Sequence, residues 1–104
     1  MTKISESAQL IKCSLSETTK IWNNVYARNL TTENDVSIGD FSRIENCRFG
    51  SYVNIQRNNL IYDSTVGRYT YTGRNFNCWH SRIGAFCSIS WNVSIGGGST
   101  IITD

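Results

Sequence analysis

Phe49-Gly50-Ser51-Tyr52, Val66-Gly67-Arg68-Tyr69 and Ile83-Gly84-Ala85-Phe86 are near-copies of one phrase, each seventeen residues after the last. A repeat of that length is too short for a pair of packed helices and suits one turn of a β-solenoid. Stepping outward by 6, 6 and 5 from Ile4 visits Ile4, Leu10, Leu15, Ile21, Ala27, Thr32, Ile38, Ile44, Phe49, Ile55, Ile61, Val66, Thr72, Cys78, Ile83, Ile89 and Ile95. Fifteen of these seventeen are apolar in a chain that is only 39% hydrophobic, and the two threonines suit strands. An amphipathic helix needs steps of 3 and 4, so helices do not fit. A three-sided coil does: each side is a short strand and each corner a turn. The expected fold is all-β, a parallel β-helix shaped as a triangular prism. It comprises about six rungs of 17 residues and one domain over 1–104, with no linker.

Side chains alternate along a strand, so positions two before each step should also face inward. They are Thr2, Thr19, Val36, Val53, Thr70 and Cys87 on one side; Ala8, Val25, Ser42, Asn59, Phe76 and Val93 on the next; Cys13, Leu30, Cys47, Ser64 and Ser81 on the third. Most are small or β-branched, as a narrow core requires. Asn59 and Phe76 stand out: the first predicts a buried amide bonded to backbone, the second a local widening. All four cysteines fall on core positions, where thiols behave as small apolar groups. None forms a Cys-x-x-Cys element, so neither a metal site nor a disulfide is expected.

The corners carry columns of their own. Gly50, Gly67 and Gly84 align, as do Asn58, Asn75 and Asn92, with Asn24 further up. Both residue types enter left-handed backbone space cheaply, and stacked asparagines can bond along the ladder. Tyr52, Tyr69 and Phe86 form an outward aromatic column. Tyr62 and Trp79 share another, and Trp22 and Trp91 lie on two more. So much outward aromatic surface suits either stacking along the prism or contact between subunits.

A net charge of +2 with ten scattered basic residues gives no case for nucleic acid. No stretch approaches the roughly 18 apolar residues of a membrane span. Met1 to Ser7 is polar and lacks a secretory core, so a cytoplasmic address is expected.

Blocks such as Ile38-Gly39-Asp40-Phe41-Ser42-Arg43 and Ile83-Gly84-Ala85-Phe86-Cys87-Ser88 resemble the hexapeptide repeat, an aliphatic residue before Gly and a small residue four later. The chain is thus similar to the left-handed β-helix of the hexapeptide acyltransferases; the left hand comes from this resemblance alone. Val66 to Gly73, followed by Ile83 to Gly97, resembles a narrower group, the xenobiotic acetyltransferases of the chloramphenicol and streptogramin type and related sugar O-acetyltransferases. The resemblance implies a trimer, acetyl-CoA as donor, and transfer of acetyl to a hydroxyl or amine of a sugar or small xenobiotic. It also implies a histidine base on a loop soon after the matching Ser94-Ile95-Gly96-Gly97 segment. Here Ser99-Thr100 stands where an acidic or amide residue followed by His is expected, and the sequence stops at Asp104. The active site is therefore expected to be incomplete, and the alternative is a non-catalytic trimerising module. No residue inherits a catalytic or coenzyme-binding role. His80, the single histidine, shares an outward column with Asn29, Asn46, Asp63 and Gly97 and is either a functional group or a surface strand residue. The open end of the last rung predicts end-to-end association, or a fold-back of Ile101-Ile102 over it.

Overall fold

A computed structural model describes residues 3–96; Thr2, Gly97, Ser99-Thr100 and Ile101-Ile102 lie outside the described residues. The fourteen short strands β1–β14 are all parallel to their neighbours and one rung apart, with registers that advance by 17: Ile21 pairs Ile38, Ile38 pairs Ile55, Ile44 pairs Ile61 and Cys78 pairs Ile95. They stack into about five turns. Strands β1 (Lys3–Ile4), β3 (Lys20–Ile21), β5 (Ser37–Ile38), β7 (Asn54–Ile55), β10 (Tyr71–Thr72) and β13 (Ser88–Ile89) make the first face. Strands β4 (Tyr26–Thr32) and β6 (Arg43–Phe49) are long enough to run through a corner. Their first halves lie on the second face with β2 (Gln9–Ile11), β8 (Leu60–Tyr62), β11 (Asn77–Trp79) and β14 (Ser94–Ile95). Their second halves lie on the third with β9 (Thr65–Val66) and β12 (Arg82–Ile83). No helix of the described residues is long and apolar enough to cross a membrane.

The core follows the expected columns through the middle rungs. Ile21, Ile38, Ile44, Phe49, Ile55, Ile61 and Phe76 are buried, and so are the inward Val25, Val36 and Val53. At the ends the same columns open: Ile4 is 44% exposed, and Leu10, Leu15, Ile89 and Ile95 are only partly covered. Each of these has a neighbouring described rung on one side only, so its column position does not bury it. The cysteines divide likewise. Cys47 and Cys78 are buried, whereas Cys13 and Cys87, expected inside, are half-buried near the ends; all four are free.

Among the described residues every buried side-chain nitrogen and oxygen has a hydrogen-bond partner. Asn59 is fully buried and donates through Nδ2 to the carbonyls of Arg57 and Gly73, both at 3.0 Å, while its Oδ1 accepts from Thr72 Oγ1 at 2.6 Å. The amide is thus anchored as its column position required, since an unpaired one would cost several kcal/mol.

The corners differ from expectation in an instructive way. Among the described residues fourteen non-glycine residues have positive φ, all between 52° and 63°, and they fall in three columns. One runs Asn24, Phe41, Asn58, Asn75, Asn92; another Lys12, Asn29, Asn46, Asp63, His80; the third Asp35, Tyr52, Tyr69, Phe86. The aligned glycines Gly50, Gly67 and Gly84 are not among them. The role of Gly50 and Gly67 is clearance: a Cβ on Gly67 would sit 2.6 Å from the Ala85 nitrogen, and one on Gly50 2.7 Å from that of Arg68, whereas one on Gly84 would meet open space. At these two positions the next rung approaches too closely for any side chain. Backbone bonding continues through the bends, with the left-handed residue donating its N–H one rung back: Tyr52 to Asn34 O, Tyr69 to Ser51 O and Phe86 to Arg68 O, each at 2.9 Å.

Candidate functional site

The third face carries an open groove of about 770 Å³ that adjoins a second of about 480 Å³. Its floor is built by the outward column Thr31, Arg48, Thr65, Arg82 beside Gly50, Gly67 and Gly84. Because the glycines add no side chains, this face is flat. Two corner ladders border it.

One rim is polar. Asn29 Nδ2 donates to Asn46 Oδ1 at 2.7 Å, and Asn46 Nδ2 donates to Asp63 Oδ1 at 2.9 Å. Asp63 Oδ2 then lies 3.7 Å from His80 Nε2, beyond hydrogen-bond length but within ion-pair reach of an imidazolium. The His80 side chain is 65% exposed at the lip of the groove. Side-chain bonding along asparagines thus occurs in this column. The Asn58, Asn75, Asn92 column makes no such bonds among the described residues and bonds through backbone N–H groups instead.

The other rim is aromatic. Tyr52 and Tyr69 stack with ring centres 4.9 Å apart and 9° between planes; Tyr69 and Phe86 stack at 5.1 Å and 4°. All three remain about half exposed along their edges. Asp35 occupies the equivalent corner one rung earlier, and its carboxylate pushes the Tyr52 phenol above its ordinary pKa, with the neighbouring Tyr69 adding to the shift.

Charge is uneven across the three faces. On the second face Glu45 holds Arg28 at 2.9 Å and Arg43 at 3.3 Å, and the Arg28 hydrogen bond keeps its carboxyl below the usual range. Arg57 pairs with Asp40 at 3.9 Å, and Arg74 lies over the Trp91 ring at 4.3 Å. Arg48, Arg68 and Arg82 have no carboxylate partner among the described residues; Arg68 rests 5.5 Å from the Phe86 ring centre. In the linear chain these cations look scattered. The seventeen-residue period gathers them on one face, a signal present in the alternation Thr31, Arg48, Thr65, Arg82 but missed by reading charge along the chain. Cys47 also touches the groove lining, yet burial pushes its thiol up to about 12, and Sγ donates to the carbonyls of Glu45 and Ile61 at 3.1 and 3.3 Å. It is not a nucleophile. No group of three or more potential metal ligands occurs among the described residues.

Comparison with solved structures places the fold. No family model matches the chain, and no curated protein matches it by sequence. The acetyltransferase domain of PglB from Neisseria gonorrhoeae superposes with a TM-score of 0.89 at 10% identity, over 92% of this chain and 49% of that domain. A GDP-perosamine N-acetyltransferase variant from Caulobacter crescentus, in complex with CoA and GDP-perosamine, superposes at 0.78 and 11% identity, over 91% and 50%. The CcmM N-terminal domain, in complex with CcmN, gives 0.79 at 17% identity, over 88% of this chain and 84% of that one. The chain has the left-handed parallel β-helix fold of the hexapeptide-repeat acetyltransferases. It spans about half the length of the two acetyltransferases.

Proposed function

We propose that this chain is the β-helix of an acetyl-CoA-dependent acetyltransferase that acts on a hydroxyl or amine of a sugar or small xenobiotic, working as a trimer. The observation that carries this reading is the flat groove on the third face, with His80 at its lip. There Arg48, Arg68 and Arg82 outnumber the lining carboxylates, Glu33 bonded to Ser51 and Asp63 facing His80. Its donor set fits the coenzyme: guanidinium groups suit phosphate oxygens, and the glycine floor leaves room for an extended ligand. When bound, acetyl-CoA supplies an acetyl group activated as a thioester. Arg48, Arg68 and Arg82 would hold its phosphates. His80 is the general base this chain can offer: it is exposed at the lip of the groove, and an imidazole can take the proton of an acceptor hydroxyl or amine. Asp63, 3.7 Å away, would balance the charge the imidazole then acquires.

The test is thiol release from acetyl-CoA with a panel of amino sugars and hydroxylated antibiotics, alongside calorimetry with CoA. His80→Asn should lower turnover by about 10²-fold or more while CoA binding persists. Arg48→Ala with Arg82→Ala should weaken CoA binding by about tenfold or more. Absence of both thiol release and CoA binding at high protein concentration would refute the reading.

The alternative is a non-catalytic module whose purpose is assembly. The half-exposed aromatic rim favours it, as does the likeness to the CcmM domain, solved in complex with CcmN. Light scattering that shows a trimer, joined to inert behaviour toward CoA, would select this second reading.

A further inference from the structure

The first face is unlike the other two. Its outward columns hold two shallow pockets of about 310 and 350 Å³, and a further one of about 580 Å³ lies at the end of the face beside Lys3, Lys20 and Trp22; none shares a residue with the arginine groove. Each of the two shallow pockets is floored by a glycine and walled by a tryptophan: Gly39 with Trp22, and Gly73 with Trp91. Gln56 lines both. The two glycines are two rungs apart, about 10 Å. A Cβ on Gly73 would collide with Trp91 Cδ1, and one on Gly39 would lie 2.8 Å from the Arg57 nitrogen, so both floors require glycine. The tryptophans are held: Trp22 Nε1 donates to Ser37 Oγ at 3.0 Å, and Arg74 covers the Trp91 ring at 4.3 Å. Both are nonetheless more than half exposed, as is Tyr71 beside the second pocket.

Polarity decides what this strip fits. The side-chain amides of Asn54 and Gln56 make no hydrogen bond among the described residues, and each offers two donors and an acceptor to the outside. Of the flanking charges, Arg57 is engaged with Asp40 at 3.9 Å and Arg74 with Trp91, while Lys3 and Lys20 lie at the far end of the face, beside Trp22. The strip therefore combines ring surfaces with uncharged donors and acceptors between them; its glycine floors recur at a two-rung interval, while the backbones of Trp22 and Trp91 stand four rungs apart, about 19 Å. Around Asn54 and Gln56 an anion has no unpaired cation, and an apolar helix would bury the amides unpaired. The C–H face of a pyranose packs on an indole or phenol ring, while its hydroxyls match amides.

We propose that the first face binds an extended, neutral oligosaccharide, with Trp22 and Trp91 as the two ring platforms and Gln56 bonding the sugar between them. The site is separate from the groove proposed for acetyl transfer.

The test is electrophoresis of the full chain through gels containing hydroxyethyl cellulose, galactomannan or amylose, with alginate as an anionic control. Tetrasaccharides of the retarding polymer are then titrated against intrinsic tryptophan fluorescence. Retardation is expected in a neutral gel and not in alginate. Trp22→Ala and Trp91→Ala should each weaken binding by about tenfold or more, and Gln56→Ala by about threefold to tenfold. Gln56 and Trp22 are exposed, so their variants should keep the wild-type thermal midpoint even if Trp91→Ala does not. Migration unchanged in all three neutral gels would overturn the proposal, as would retardation that survives both tryptophan substitutions. Conversion of an oligomer to monomers by Trp22→Ala would overturn it too, by assigning the face to a second copy of this chain.

Discussion

The polar and aromatic rims of the third face have one backbone and two chemistries. Asn29, Asn46, Asp63 and His80 bend the chain at φ of 52° to 54°; Asp35, Tyr52, Tyr69 and Phe86 do so at 58° to 63°. In both columns every residue after the first sits directly above its equivalent one rung earlier. The left-handed region costs an ordinary L-residue about 1–2 kcal/mol, and asparagine and aspartate least. The polar column lowers that cost through residue type and adds amide bonds at 2.7 and 2.9 Å. The aromatic column keeps bulky residues in the unfavourable region and offsets them by two ring stacks, each worth about 0.5–1.5 kcal/mol. Identical geometry can therefore be held either by local conformational preference or by contact between rungs.

The most damaging test of that contrast is Tyr69→Ala. It deletes both stacks and leaves the bend strained, for an expected loss of about 1–3 kcal/mol in urea melts. Tyr69→Gly deletes the same stacks but frees the backbone, and should recover about 1 kcal/mol of that loss. Equal losses in the two variants would mean that no strain resides at this corner. Asn46→Ala should come next, at about 1–2 kcal/mol, since it removes both ladder bonds and the tolerant residue together. Asn46→Gly should cost less than Asn46→Ala by thermal midpoint. His80→Asn ought to stay within about 0.5 kcal/mol, because the exposed pair with Asp63 contributes little and an amide can continue the ladder.

The smallest effect expected is spectroscopic. Tyr52 should ionise above the ordinary phenol range, and Asp35→Asn should bring its titration down by ultraviolet difference absorbance. The raised value means that the native state holds the phenolic proton longer than the unfolded chain does. Its linked stability is intact below the unfolded pKa and is lost as pH rises through the folded one. A stability profile flat across that alkaline window in wild type, yet sloped in Asp35→Asn, would contradict the assignment.

The fold was legible because burial is periodic. Columns such as Ile38, Ile55, Thr72 and Ala27, Ile44, Ile61, Cys78 mark the interior without reference to distance. The buried amide of Asn59 could be read for the same reason: a polar residue in an apolar column must find backbone partners. Corner assignments failed where propensity and stacking compete. Intrinsic preference points to Gly50 and Gly67 as the left-handed residues, but clearance between rungs claims them, and the bend moves two positions on to Tyr52 and Tyr69. The placement of His80 beside Asp63 was visible in their shared column. The arginine groove was not, because Arg48, Arg68 and Arg82 converge only after the coil is wound, and nothing local marks which arginines lack a carboxylate.

Hydrogen bonding from rung to rung at sides and bends alike makes the prism indifferent to how many turns it contains. Excising seventeen consecutive residues from the middle would shorten the axis by one storey while each remaining wall kept its bearing. Removing one residue would instead swing everything downstream out of alignment, turning isoleucines toward water. Evolutionary tinkering with such an object should therefore proceed by whole storeys, each carrying its own share of arginine, indole or stacked ring to a predetermined side.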